Sequence, residues 1–274
     1  MPQTANDNLA IDLGVLSAEP AAEYHARAGE YLSSHLLIDF IRCPKLYRKK
    51  ILGLVKEEVA YAMVLGTATH TRILEGRQAY ESQFALGGPI NKTKGKPFGR
   101  ETKAFAKWAE AQGKPGIHHD DLPLIENLAG GVAECDEAVD LLLHGRSEGV
   151  VRTEYCGVPC QARFDWIHPH RGLIDLKTTR DLDRFVRDSR EYRYNTQLAF
   201  YQAILAQVVG QLVPVHLVAV EKKEPFRCGI WRLGQDLLAG ARRENEDAIE
   251  RLQHCRQTDY WPTGYERIRV LDSL

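Results

Sequence analysis

Two short stretches carry carboxylates and an amine where strand interiors are ordinarily apolar. In 160–166 the even positions Cys160, Ala162, Phe164 and Trp166 are core-like, whereas Gln161, Arg163 and Asp165 between them are polar, a period of two that marks a half-buried strand. In 173–178, Ile174 and Leu176 share one face and Asp175 and Lys177 share the other. If these strands pair, Asp165, Asp175 and Lys177 enter one space. Carboxylates crowded together without compensation cost free energy or shift their pKa values, and a cation between them removes that cost. A hard, oxygen-preferring ion such as Mg²⁺ fits such a donor set best. The alternative is an edge hairpin with a solvated polar face, on which Asp175 and Lys177 form a surface ion pair. Further polar groups lie nearby in sequence: Glu154 on the preceding strand, and Gln197 and Tyr201 at i and i+4 on the following helix.

The elements that must position these residues follow from periodicity and turn signals. Strands are expected at 150–156, 160–167 and 173–178, separated by Gly157-Val158-Pro159 and by His168-Pro169-His170-Arg171-Gly172. A helix over 192–209, strands over 213–220 and 227–233, and a helix over 235–255 complete a core spanning 149–256. Upstream, a helix begins after Ser33-Ser34 and is interrupted by Pro44; a second covers 61–77 and contains His70; a third runs over 122–143. Residues 1–30 read as a loose arm whose end near Tyr24-His25 docks on the body. The whole is one α/β domain over 31–274, helical in its 31–148 part.

Composition narrows the classes. The chain has 274 residues, 44% hydrophobic and 27% charged, with a formal net charge of -1, which is the profile of a soluble globular domain. Overall charge is silent about nucleic acid, but residues 87–116 hold seven basic against two acidic residues, a local +5. Residues 87–99 read as a mobile basic loop, and Lys92, Lys94, Lys96 and Arg100 are the candidate phosphate contacts. The run Arg180, Arg184, Arg187, Arg190 and Arg193 is a second candidate, nearly cancelled by Asp181, Asp183, Asp188 and Glu191. No secretory signal and no bilayer-length apolar run is visible, so a cytoplasmic protein without a membrane anchor is expected. Cys156 and Cys160 with His168 and His170 fit no common zinc spacing.

The ordered set Arg163-Phe164-Asp165, Ile174-Asp175-Leu176-Lys177-Thr178-Thr179 and Gln197-Leu198-Ala199-Phe200-Tyr201 resembles the PD-(D/E)XK nuclease pattern, as D…DxK followed by QxxxY, the last typical of the RecB-like branch. Glu23-Tyr24-His25, Ser33-Ser34-His35-Leu36, Cys43-Pro44 and Gly66-Thr67-Ala68-Thr69-His70 are similar to the N-terminal landmarks of the exonuclease VIII (RecE-type) nuclease domain. Phe164 stands where the family name has proline; the carboxylate that follows is what the chemistry requires.

The resemblance implies a restriction-endonuclease-like core, a central mixed sheet flanked by helices, with a helical N-terminal half. It implies a Mg²⁺-dependent deoxyribonuclease, with Mn²⁺ as the alternative ion. Asp165 and Asp175 would be the central ligands of one or two ions, completed by the Leu176 carbonyl, Glu154 and His70. Lys177 would position or deprotonate the attacking water, Gln197 and Tyr201 would bind phosphate or orient Lys177, and Arg163 would join the DNA contacts. The implied role is resection of linear duplex DNA from 5′ ends for recombination, by a homo-oligomeric ring working with a single-strand annealing protein, of phage or chromosomal origin. Endonucleases and catalytically silent DNA-binding modules share the core and stand as alternatives. Some relatives bind an iron–sulfur cluster through the Cys-Pro cysteine and three C-terminal cysteines. Here only Cys255 lies near the end, so no cluster is expected and Cys43 reads as a packed thiol.

Overall fold

The structure is a computed structural model that describes residues 10–55 and 60–270. Residues 1–9 of the expected arm lie outside the described residues. The helical half comprises α1 (Ala21–Ala26), α2 (Ser34–Arg42), α3 (Pro44–Ile51), α4 (Tyr61–His70) and α5 (Arg77–Gln83), then the short strands β1 (Ala85–Gly87), β2 (Ile90–Asn91) and β3 (Lys96–Pro97). It continues through α6 (Lys103–Gln112), β4 (Gly116–His118), α7 (Leu122–Ala133) and α8 (Asp136–Leu141). The core follows as β5 (Arg146–Tyr155), β6 (Val158–His168), β7 (Gly172–Thr179), α9 (Phe185–Glu191), α10 (Tyr194–Val209), β8 (Val215–Glu221), β9 (Cys228–Arg232) and α11 (Gln235–Thr258).

The five core strands lie in the order β5-β6-β7-β8-β9, with β7 and β8 parallel and the other neighbours antiparallel. This is the expected mixed sheet flanked by helices. One face packs on α2, α10 and α11 through Ala162, Phe164, Leu173, Leu217 and Ala219; the other packs on α7 and α8 through Ile174, Leu176, Val218 and Val220. Helix α10 is buried from Thr196 through Leu205, so its polar side chains are interior groups rather than a solvated stripe. Gln202 Nε2 donates to the Val213 carbonyl at 2.7 Å, and Asn245 Nδ2 on α11 donates to the Thr196 carbonyl at 2.9 Å, while Thr196 Oγ1 has no partner among the described residues.

Several expected boundaries differ. Residues 10–30 are packed rather than loose: Ile11, Leu16 and Tyr24 are buried, and Ser17 bridges Val150 on the free edge of β5. Their spacing matches neither a helix nor a strand period, so periodicity does not reveal them. Pro44 divides the first helix by opening α3 at its first position, where no amide hydrogen is required. The helix expected over 61–77 ends at His70, passes through a π turn over Thr71–Glu75 and breaks at Gly76 (φ 88°). The 122–143 helix is split at Glu134-Cys135. The 87–99 segment is a small hairpin in which Asn91 Oδ1 accepts from the Thr93 and Lys94 amides. Among the described residues no helix is long and apolar enough to cross a membrane.

Candidate active site

Strands β6 and β7 pair at His168↔Gly172, Ile167↔Leu173 and Trp166↔Ile174, and then part. The fork so formed is held by Asp165, whose Oδ2 accepts the Leu176 amide at 2.9 Å in place of a β6 carbonyl. Amide and carbonyl of one strand residue point to the same side, so the Leu176 carbonyl also faces the fork. The strict alternation expected along β6 slips here. Ala162 and Phe164 face α10, yet Trp166 packs on the α7–α8 side and Ile167 returns to the α10 side. Opposite this point on β5, Glu148, between the pairs Ser147↔Trp166 and Gly149↔Phe164, takes a left-handed φ of 55°. A non-glycine residue held there is strained, a feature that recurs at functional sites.

Asp175 is 1% exposed; the Lys177 ammonium pairs with its Oδ2 at 2.5 Å, and Oδ1 has no hydrogen-bond partner among the described residues. Burial pushes the Asp175 pKa up to about 7, with Lys177 opposing and Asp165 adding to the rise. Burial alone would lower Lys177, but the carboxylates of Asp175 and Asp165 outweigh it and hold the ammonium above its ordinary range. Its Nζ sits 5.0 Å from the centre of the Tyr194 ring. These are interior groups, so the solvated surface ion pair is not what forms. His70, last residue of α4, brings Nδ1 to 3.5 Å from Asp165 Oδ2. Burial, partly opposed by Asp165, lowers its pKa and favours the neutral ring, the form with a lone pair to donate.

Glu154 does not join this cluster. It is exposed beside the β5–β6 turn, paired with Pro159, six residues along β5 from Glu148 and so roughly 20 Å away. The acid that β5 supplies is Glu148, which sequence reading missed because its backbone breaks the strand pattern. Burial and then Asp165 raise its pKa to about 7, against the Arg163 guanidinium, whose Nε is 2.8 Å away. Arg163 is thereby an internal counter-ion. Gln197 and Tyr201 are 8% and 5% exposed, and Gln197 Nε2 donates to the Tyr201 hydroxyl at 3.2 Å. Burial raises the Tyr201 pKa; Ser34 and Gln197 pull it down, and Asp175 and Asp165 raise it further. Beside them, the His35 ring at the start of α2 is surrounded closely enough that desolvation, and then Lys177, lower its pKa, although the residue keeps an accessible edge. Tyr194 was readable in principle, since Tyr194, Gln197 and Tyr201 fall at i, i+3 and i+7 on one helix face.

Lys92, Lys94 and Lys96 are exposed on the β2–β3 hairpin, without ion-pair partners among the described residues. Arg100 is committed internally: its Nη1 is 3.1 Å from Asp121, and its guanidinium covers Tyr61 at 5.3 Å. His168 accepts the His170 and Arg171 amides at 3.0 Å through Nδ1, which accounts for it as a turn-capping group.

Among the described residues, no three His, Cys, Asp or Glu side chains converge tightly enough to cage a metal. The donor chemistry nevertheless suits a hard cation: a buried carboxylate with one oxygen unpartnered, a second carboxylate across the fork, a strand carbonyl and a neutral imidazole.

A forked mixed sheet bearing D…DxK and QxxxY defines a PD-(D/E)XK-type domain. Residues 33–273 match the family described as "PDDEXK-like domain of unknown function (DUF3799)", and the chain belongs to it. Its fold is similar to that of a "Putative exonuclease" from Eubacterium rectale, at a TM-score of 0.66 and 16% identity over 94% of this chain and 96% of that one. A structure of SSO0001 aligns over 85% of this chain and 86% of its own at 16% identity, with a TM-score of 0.27. Among curated proteins none matches.

Proposed function

We propose that the chain is a Mg²⁺-dependent deoxyribonuclease, with Mn²⁺ as the alternative ion, acting as an exonuclease that resects linear duplex DNA 5′ to 3′ for recombination. The observation that carries this reading is Asp175: a buried carboxylate paired with Lys177 through Oδ2, its Oδ1 without a partner, facing Asp165 at the β6–β7 fork. Asp165, Asp175, the Leu176 carbonyl and His70 would hold one or two ions, with Glu148 in the place that the strand pattern assigns to Glu154. A bound divalent ion lowers the pKa of water and offsets charge on phosphate oxygens. Lys177, beside Asp175 at the fork, positions or deprotonates the attacking water and meets a phosphate oxygen. Gln197 and Tyr201 fix the position of Lys177 and the phosphate from α10. Lys92, Lys94 and Lys96 track the backbone at a distance; the length of α4, about 15 Å, separates their end of the domain from His70.

A cytoplasmic homo-oligomeric ring cooperating with a single-strand annealing protein belongs to the same proposal and rests on the family resemblance. The test uses purified chain on labelled linear duplex and closed circular DNA, with Mg²⁺ and with EDTA. Metal-dependent loss of linear DNA alone supports the exonuclease, and timing of label release gives the end attacked. Cutting of circles replaces it with an endonuclease of the same fold; binding without cutting replaces it with a silent module.

A further inference from the structure

Acids around the outer rim of the site already have their own cations. Arg227 holds Glu221 at 2.8 Å and Asp183 at 3.3 Å, Lys223 lies 4.0 Å from Asp181, and Arg187 lies 3.0 Å from Asp188. Arg180 and Lys222 on that rim have no such partner among the described residues. Arg180 follows β7 and Lys222 follows β8, one rung beyond the last pair of the parallel ladder, where the Lys222 amide donates to the Thr179 carbonyl at 2.8 Å. Neither has an acidic partner among the described residues. They sense each other: burial and then the charge of Arg180 lower the Lys222 pKa. Like charges kept together without an anion repel, and an anion between them relieves the repulsion.

Arg180 and Lys222 line a pocket of about 240 Å³ with Thr178, Asp188, Tyr192 and Tyr194. Such a space exceeds what a single water needs, ~15 Å³, and falls short of a drug-sized cavity at roughly 300 Å³ or more, which suits a phosphate and its sugar. Its aromatic wall leads back to the chemistry. Tyr194 presents one face to Lys177 and stacks on Tyr192 at 5.8 Å and 28°, and Tyr192 is left 57% exposed.

We propose that this groove is a nucleotide subsite: Arg180 and Lys222 bind the backbone phosphate next to the one held at Asp175 and Lys177, and Tyr192 stacks on that nucleotide's base. The subsite rests on the nuclease reading above and adds a place for the strand beyond the scissile bond. It reads no sequence, because phosphate contacts carry none and every base offers a π-face.

The experiment is done in EDTA with the full chain, so that binding is separated from cleavage. The probe is a linear duplex carrying 2-aminopurine at one of its last three nucleotides, followed by anisotropy over a salt series and by 2-aminopurine fluorescence. Arg180→Gln/Lys222→Gln is expected to weaken binding and reduce the salt slope by about 1 to 2. Tyr192→Leu is expected to lose the fluorescence quenching seen with wild type and to bind roughly 5- to 150-fold more weakly, whereas Tyr192→Phe retains both properties. Wild-type affinity and slope in the double variant, or quenching indifferent to Tyr192→Leu, would overturn the subsite and leave the nuclease reading intact. A wild-type chain that binds no DNA at all would overturn both, which distinguishes the two failures.

Discussion

Glu148→Gln offers a perturbation whose sign and size follow from the site. The carboxyl of Glu148 ordinarily titrates near 4.5, and in the folded protein burial and Asp165 raise it to about 7. A displacement of about 2.5 pH units at roughly 1.4 kcal/mol each corresponds to about 3 kcal/mol. Because the folded pKa is the higher one, the folded state is not penalised below pH 4.5, loses stability as pH rises from 4.5 to 7, and carries the whole penalty above 7. Arg163, 2.8 Å away, already opposes the rise, so the value is what remains after that ion pair. Glutamine keeps the shape and cannot ionise. The variant is therefore expected to match wild type near pH 4.5 and to exceed it by about 3 kcal/mol at pH 8, measured by urea unfolding followed by circular dichroism. Mg²⁺ at 100 times its Kd should restore about 2.7 kcal/mol to wild type and narrow the gap. A stability difference that is the same at pH 4.5 and pH 8, or that favours wild type at pH 8, would refute the reasoning.

Three further outcomes follow from the same geometry. Glu154→Gln should leave cleavage unchanged and stability within about 0.5 kcal/mol, since the side chain is exposed and remote from the fork; a large loss of activity would return it to the site. Replacing Lys92, Lys94 and Lys96 together with glutamine should flatten the salt dependence of DNA binding by about 0.9 for each phosphate that is no longer neutralised, and an unchanged slope would remove the hairpin from the interface. His70→Ala should raise the Mg²⁺ concentration needed for half-maximal activity by about 10- to 100-fold, and wild-type activity at limiting metal would exclude it as a ligand.

The core strands and their succession along the chain were largely legible, because each carries its own pattern and turn residues separate them. The period of two put Asp175 and Lys177 side by side, and the structure keeps them so. Asp165 is legible for a reason only partly right: the pleat slips beside it, and the fork rather than regular pairing turns it toward β7. Glu148 is hidden because its left-handed backbone breaks the pattern by which strands are recognised, whereas Glu154 stands out from the regular part of the same strand. Gln197 and Tyr201 look equally like surface residues, since the burial of α10 depends on α2, α11 and the sheet together. Arg100 and Arg163 count as free charge in sequence, but Asp121 and Glu148, 21 and 15 positions away, neutralise them only through the fold.

The central claim is that Asp165, Asp175 and Lys177 form one metal-dependent phosphodiesterase site. The measurement that tests it most directly is single-turnover cleavage of linear duplex DNA by wild type and Lys177→Ala at saturating Mg²⁺, with DNA affinity and circular dichroism measured in parallel. The account predicts a loss of cleavage of at least about 10²-fold with folding and binding retained. Cleavage by Lys177→Ala at the wild-type rate would contradict it.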